Sequence, residues 1–188
     1  MKLELRYYGD PILRKQAEPV RAFGMELRKL IDDMLETMRA AQGIGLAAPQ
    51  VGWSQAVAVI EMPIDYDLDE NGQRLNPDAE MPLVLVNPAI RNSSKKMDLY
   101  EEGCLSFPGI RAEIERPYEI EIAFQLPDGT SKIQTFRDFL ARVIQHEVDH
   151  LNGVLFIDRM SSAKRFALAG KLKRLKRETE ERLGVSPA

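Results

Sequence analysis

The sequence predicts an α+β fold, with antiparallel or mixed β-sheets packed around a central helix and one further helix at the C-terminus. Strand-like runs are grouped between predicted helices and do not alternate regularly with them, as a doubly wound sheet would require. An Asp-Gly pair at 128–129, between two such runs, is typical of a hairpin between antiparallel strands. The 188 residues, 44% of them hydrophobic, suffice for one buried core, so we expect a single domain over 1–188.

The spacing of apolar residues predicts the first elements. Leucine, isoleucine and methionine recur at helical spacing over 24–42, and Gly43 suits the left-handed position that follows a helix end. Runs rich in branched side chains predict strands at 56–61, 83–87 and 119–126, with a return strand over 131–136.

The second predicted helix is the central one. We expect it to begin near Thr135, because Thr135-x-x-Asp138 resembles a capping box, and to end at Asn152-Gly153. The following VLFID sequence, 154–158, predicts a short strand.

Residues 62–82 interrupt this pattern with an acidic, proline-bearing sequence that we expect to be a surface excursion. Asp67-x-Asp69-x-Asn71-Gly72 matches the opening of a calcium-binding loop. The nearby prolines disfavour the helices that flank an EF-hand, so a solvated turn is the preferred interpretation and a calcium site the alternative.

The net charge of −3 conceals a basic C-terminal segment. Residues 164–182 hold eight Lys/Arg and three Glu, a balance of +5. Ser161 or Ser162 can cap a basic helix over 162–182. Such a helix predicts a polyanionic partner, with a solvated helix face as the alternative.

Composition also bears on the compartment. No apolar run approaches the roughly 18–20 residues of a membrane span, and the N-terminus lacks the apolar stretch of a signal peptide. The single cysteine excludes an internal disulfide, which fits a reducing environment. We therefore expect a soluble cytoplasmic protein.

The strongest chemical signal is the run His146-Glu147-Val148-Asp149-His150 in the central helix. Residues four apart lie on one helix face, one turn apart, so both imidazoles can bind the same metal ion. Glu147 would project beside them, within reach of a metal-bound water. The chain has no other histidines, which favours a metal site over two ordinary helical histidines.

A catalytic metal site needs a third protein ligand and one open position. Phe156 stands where the extended metalloprotease motif has a third histidine, which excludes that version of the site. The remaining candidates are a carboxylate or Cys104, the only thiol. A small buried side chain is the alternative interpretation of this cysteine.

Three separated blocks make the sequence similar to the peptide deformylase family: GIGLAAPQ at 43–50, EGCLS at 102–106 and QHEVDH at 145–150. GDPILR at 9–14 and LNGVLFIDR at 151–159 extend the resemblance over nearly the whole chain. Members of this family are hydrolases that remove the formyl group from the N-terminal formylmethionine of nascent polypeptides and release formate. The resemblance implies the same role in N-terminal processing for a bacterial, cytoplasmic protein.

The resemblance also implies a set of site residues. A divalent metal, natively Fe(II) in many members and replaceable by Zn(II), Ni(II) or Co(II), would be bound by Cys104, His146 and His150. Metal-bound water would attack the formyl carbonyl, with Glu147 as general acid and base. The Gln50 side-chain amide and the Leu105 backbone N–H would stabilise the oxyanion.

Selectivity for methionine requires an apolar pocket beside the metal. The candidate substrate-binding residues are Ile44, Gly45, Tyr100, Phe139 and Val143. The last two precede His146 by seven and three positions and so share its helix face, although plain core positions are the alternative.

Two acidic residues are candidates for supporting roles. Glu102 is expected to accept a hydrogen bond from a ligating histidine, with a surface acid as the alternative. Asp149 is expected to pair with an arginine such as Arg116.

Other functions stay open. One is a short-motif metallopeptidase with a downstream carboxylate as third ligand, and the other is an inactive, metal-binding relative associated with the ribosome. The basic helix over 162–182 is similar to the C-terminal helix through which some bacterial deformylases dock on the ribosome, which implies ribosomal RNA as a partner.

Overall fold

The computed structural model describes residues 1–184, which contain three α-helices and seven strands. The helices are α1 (Met25–Ala40), α2 (Asp138–Leu151) and α3 (Ser162–Leu183). The strands are β1 (Gly45–Ala47), β2 (Val57–Ile60), β3 (Leu83–Ser93), β4 (Met97–Gly103), β5 (Arg111–Pro117), β6 (Glu119–Gln125) and β7 (Ser131–Arg137).

Every pair of neighbouring strands is antiparallel. One sheet has the order β1-β2-β3-β6-β7, and β4 and β5 form a separate hairpin. This confirms the predicted α+β class with antiparallel sheets and a C-terminal helix.

The larger sheet lies between α1 and α2, and strand alternation decides which side chains face which helix. In β2, Val57 and Val59 face the apolar side of α1, whereas Ala58 and Ile60 face α2. All four are fully buried, as expected for a strand with a helix on each side. Consequently α2 is enclosed, and its residues from 140 to 151 are all buried.

Three local expectations are wrong. Thr135 does not cap α2, because β7 continues to Arg137 and pairs Thr135 with Glu121 in the sheet. Residues 154–158 form no strand; Phe156–Asp158 is a 3-10 helix whose Asp158 carboxylate accepts from the Leu155 N–H at 2.9 Å. The left-handed residue after α1 is Gln42, with φ 55°, and not Gly43.

Most residues of the 62–82 segment are exposed, as expected for a surface excursion, but hydrogen bonds order part of it. It contains a 3-10 helix, Ile64–Asp67, and the Asp67 side chain is buried. Its carboxylate accepts hydrogen bonds from Arg74 at 2.8 Å and Asn76 at 2.6 Å. Asp69 accepts from the backbone N–H groups of a tight turn. These bonds give both carboxylates partners within the segment, and the calcium site stays the alternative interpretation.

The C-terminal helix is packed against the body of the protein. Ser161 caps α3 by accepting a hydrogen bond from the Lys164 N–H at 3.2 Å, as one of the two expected caps. Leu172 and Thr179 are buried, and α3 lies against the N-terminal segment. None of the helices within residues 1–184 is both long and apolar enough to cross a membrane.

Gly153, which follows α2, has φ +70°, and a Cβ there would lie 2.6 Å from the Arg14 carbonyl oxygen. We expect Gly153→Ala to lower the free energy of unfolding by more than about 1 kcal/mol, measured by denaturant unfolding. Gly170→Ala is the matched control, because Gly170 lies inside α3 with open space around it. That substitution should instead stabilise by about 0.5–1 kcal/mol. Equal effects of the two substitutions would contradict this explanation.

Candidate metal centre

Helix α2 presents His146, Glu147 and His150 on its buried surface. All three side chains are at least nine-tenths shielded from solvent. The two imidazole rings lie one turn apart, with centroids 5.0 Å from each other. Helical spacing alone produces this juxtaposition, as the sequence predicts.

Cys104 joins the two histidines from a different part of the chain. It follows the end of β4 and begins a turn in which the Phe107 N–H donates to the Cys104 carbonyl at 2.9 Å. The Tyr8 N–H donates to the Ser106 carbonyl at 3.0 Å, which holds this turn against the N-terminal segment. As a result Cys104 Sγ lies 3.2 Å from His150 Nε2.

The donor atoms fit a metal ion. The candidate ligand atoms of Cys104, His146 and His150 lie within 4.8 Å of one another, and no other such group occurs among residues 1–184. One sulfur and two imidazole nitrogens suit a borderline divalent cation and leave a coordination position open. Among the described residues, His150 Nδ1 and Glu147 Oε2 are buried without a hydrogen-bond partner.

Gln50 is oriented toward the sulfur. It lies in a 3-10 helix, Ala48–Val51, and its side chain is buried. Its Oε1 accepts from the Ala47 N–H at 2.8 Å, which directs the amide nitrogen toward the site. That Nε2 lies 3.4 Å from Cys104 Sγ and 3.2 Å from Ser106 Oγ. Gln50 therefore has a donor beside the proposed ligand.

Glu102 connects the histidine to a buried ion cluster. Its Oε2 lies 2.9 Å from His146 Nδ1, while Arg116 donates to both of its oxygens at 2.6 and 2.9 Å. The third Arg116 contact is to Asp149 at 2.8 Å, so the guanidinium bridges two carboxylates. Glu102 is only 7% exposed, which makes the surface-acid alternative wrong. The Asp149–Arg116 pair is present as expected.

Two more arginines complete this cluster. Arg142 donates to Glu102 Oε1 at 2.7 Å and to the Ile114 carbonyl at 2.8 Å. Arg159 donates to both oxygens of Asp149, at 2.5 Å each. Sequence reasoning missed both contacts, since no helical or strand spacing relates these residues to their partners.

The surroundings shift the pKa values of the ionisable side chains at this site in different directions. Burial raises the pKa of Glu147 to about 7. Burial also disfavours the Glu102 carboxylate, but hydrogen bonds from His146 and Arg116 outweigh it and hold the pKa of Glu102 below its usual range. Burial lowers the pKa of His150, which keeps the imidazole neutral, the form that binds metals.

A cleft of 680 Å³ opens onto Cys104, His146 and Glu147. The five predicted substrate-binding residues all line it: Ile44, Gly45, Tyr100, Phe139 and Val143. At Gly45, a Cβ would lie 2.3 Å from Glu147 Oε1, so only glycine allows β1 to approach the carboxylate this closely. Leu105 also lines the cleft.

Sequence reasoning missed Tyr66 and Ser106. Tyr66 lines the same cleft from the 62–82 segment and stacks on Phe139. Ser106 is fully buried and meets the Gln50 amide. An isolated tyrosine in an acidic segment was the only signal for Tyr66, whereas Ser106 stood within the EGCLS block.

Comparison with known proteins agrees with the geometry. A family model described as polypeptide deformylase matches residues 2–166. The chain is 42% identical to the peptide deformylase of Opitutus terrae over the full length of both proteins. It is 45% identical to that of Thermotoga maritima over 89% of this chain and 93% of the relative.

Solved structures show the same likeness. Arabidopsis thaliana peptide deformylase 1B, in complex with an inhibitor, has a TM-score of 0.85 at 37% identity, covering 99% of this chain and 97% of the plant chain. The crystal structure of the Thermotoga maritima peptide deformylase has a TM-score of 0.75 at 42% identity, covering 86% and 99%. Sequence and fold agree over most of the molecule, and the chain therefore belongs to the peptide deformylase family of hydrolases.

Proposed function

We propose that this protein is a metal-dependent hydrolase that removes the formyl group from the N-terminal formylmethionine of nascent polypeptides and releases formate. One observation carries the proposal: the ligand atoms of Cys104, His146 and His150 converge within 4.8 Å beside Glu147, at a cleft. Membership of the peptide deformylase family supports the substrate class. Nascent peptides as substrates place the reaction in the cytoplasm, which stays a prediction.

Cys104, His146 and His150 would hold the cation. The resemblance to the family favours Fe(II) as the native ion, and the donor set also accepts Zn(II), Ni(II) or Co(II). When bound, a divalent cation supplies Lewis-acid chemistry, since it lowers the pKa of a water molecule toward neutrality and polarises a carbonyl group.

Glu147 has the position and the acidity for proton transfer. Its carboxylate is buried at the cleft, and a pKa of about 7 lets it exchange a proton near neutral pH. It would accept a proton from the attacking water and then donate it to the amine nitrogen of the departing peptide. The same group thus acts first as base and then as acid.

Gln50 and Leu105 would stabilise the negative charge that develops on the formyl oxygen. The Gln50 amide is already oriented by the Ala47 N–H, so little reorganisation is needed during the reaction. Leu105 directly follows Cys104 and lines the cleft, which supports a role for its backbone N–H as the second donor.

The methionine side chain would occupy the apolar part of the cleft. Phe139 and Val143 extend from His146 along one face of α2, and Gly45 lies against both Glu147 and Val143. Ile44 lines the same cleft. Tyr100 on β4 adds an aromatic side chain to this lining.

Docking of α3 on ribosomal RNA stays a prediction, as does a single catalytic domain over 1–188. Three of the basic residues of α3 form pairs one helical turn apart, at 3.5 to 3.7 Å, with Glu178, Glu180 and Glu181. Within the described part of the chain, Lys171 and Lys173 are exposed and have no such pair, which makes them candidate contacts for a polyanion.

The activity is tested by formate release from a formylmethionyl peptide, with protein purified anaerobically. Glu147→Gln should lower kcat by at least about 100-fold while the metal content is unchanged, because the substitution removes the proton acceptor but no ligand. Glu70→Gln, an exposed acid, is the control. Full activity in Glu147→Gln would contradict the proposed role, and an inactive wild type would favour the non-enzymatic relative.

The third ligand distinguishes the proposal from a short-motif metallopeptidase. We expect Cys104→Ser to bind metal well below one equivalent per chain, since a hydroxyl replaces the thiolate. The measurement is metal analysis of the purified variant, with Glu147→Gln as a control that should retain metal. An unchanged metal content in Cys104→Ser would support a carboxylate ligand and the metallopeptidase.

Glu102 is expected to support metal binding through His146. Glu102→Gln weakens the acceptor for the imidazole and should reduce metal affinity by about 10- to 100-fold, measured by competition with a chelator. Glu113→Gln, an exposed residue of the paired strand, should have no effect. Unchanged affinity in a folded Glu102→Gln variant would exclude this role, and circular dichroism checks the fold.

A further inference from the structure

The 62–82 segment reaches the cleft through the ring of Tyr66. This ring stacks on Phe139, with centroids 5.0 Å apart and planes at 27°. Tyr100 meets Phe139 edge-on, at 5.4 Å and 67°. Tyr66, Tyr100 and Phe139 all line the cleft, and we refer to these three rings as the aromatic wall.

A buried polar anchor fixes Tyr66 in this position. The neighbouring Asp67 carboxylate is 2% exposed and is held by Arg74 and Asn76. Asn76 in turn exchanges hydrogen bonds with the backbone of Arg137, accepting from its N–H at 2.8 Å and donating to its carbonyl at 3.2 Å. Arg137 directly precedes α2, so the anchor ties the segment to the helix that carries Phe139.

The residues of the aromatic wall are separated along the chain from the proposed ligands. Phe139 precedes His146 by seven residues, which is about 10 Å along the axis of α2. Tyr100 precedes Cys104 by four residues, about 13 Å along extended chain. On a formylated substrate whose carbonyl lies near the ligands, an extended first side chain would be needed to meet these rings.

The chemistry of the wall suits a thioether. Sulfur makes favourable contacts with aromatic rings, often at the ring edge. Tyr66 and Tyr100 are 50% and 47% exposed, so their rings have free surface for a ligand.

We propose that Tyr66 is a specificity-determining residue whose ring closes the far end of the methionine pocket and contacts the terminal thioether of the first substrate residue. The inference rests on the proposed deformylation. It assigns to the 62–82 segment a part in substrate selection, through one side chain held by a buried anchor. A short side chain on the first substrate residue, such as that of alanine, does not reach the ring, so its kcat/KM does not depend on Tyr66.

The test compares kcat/KM for formate release from formylmethionyl and formylalanyl peptides. Tyr66→Ala should lower the value for formylmethionine by about threefold to tenfold, mainly through KM, and leave formylalanine unchanged. Tyr66→Phe should retain the wild-type ratio, because the ring remains. Ile64→Ala is the matched control, since Ile64 lies on the same 3-10 helix, is exposed and does not line the cleft.

Two results would overturn the inference: a Tyr66→Ala variant with the wild-type kcat/KM for both substrates, or one whose kcat/KM falls by the same factor for both. Equal loss would indicate a structural role for the ring. Measurements of metal content and of thermal unfolding would then show whether the variant is damaged. Wild-type protein that releases no formate from either peptide would instead overturn the proposed function, which makes the two failures distinguishable.

Discussion

The site depends on the buried Arg116 guanidinium and its two carboxylate partners. Arg116 belongs to β5, Glu102 to β4 and Asp149 to α2, so this single side chain joins the hairpin to the histidine-bearing helix. Buried charges are costly unless they are fully paired, and loss of one partner typically costs about 3–5 kcal/mol. The same cluster therefore constrains where β4 ends relative to α2, and with it the approach of Cys104 to the imidazoles.

Two buried carboxylates of this site have pKa values shifted in opposite directions. Glu102 is surrounded by donors, which keep it ionised as an acceptor for His146. Glu147 directly follows His146 on α2 and has no comparable donors, so burial raises its pKa toward neutrality. One buried acid can thus orient an imidazole while another is suited to proton transfer, and the difference comes from their hydrogen bonds.

The 62–82 segment follows the same logic at the rim of the cleft. Two of its acidic residues have partners within the segment, with Asp67 paired inside the protein and Asp69 closing a turn. The polar anchor leaves the apolar ring of Tyr66 free to face the cleft. A segment that looks like a solvated linker in composition therefore contributes a side chain to the lining of the cleft.

The sequence by itself determined the features that depend on short spacing. Helical periodicity predicted α1, the shared face of His146 and His150, and Phe139 and Val143 beside them, because side chains four or seven apart must lie together on a helix. It also predicted the hairpin of β6 and β7 from the turn between them. The sequence misplaced the start of α2, because Thr135 could either cap a helix or pair in a strand. Its pairing with Glu121 in the sheet is a tertiary contact that local sequence does not specify.

Only the tertiary structure decided the contacts between distant segments. No local spacing places Cys104 Sγ 3.2 Å from His150, Arg116 between Glu102 and Asp149, or Tyr66 on Phe139. Each of these contacts joins separate elements across the core or the cleft. They are determined by how strands and helices pack together, which is information that residue type and local periodicity do not contain.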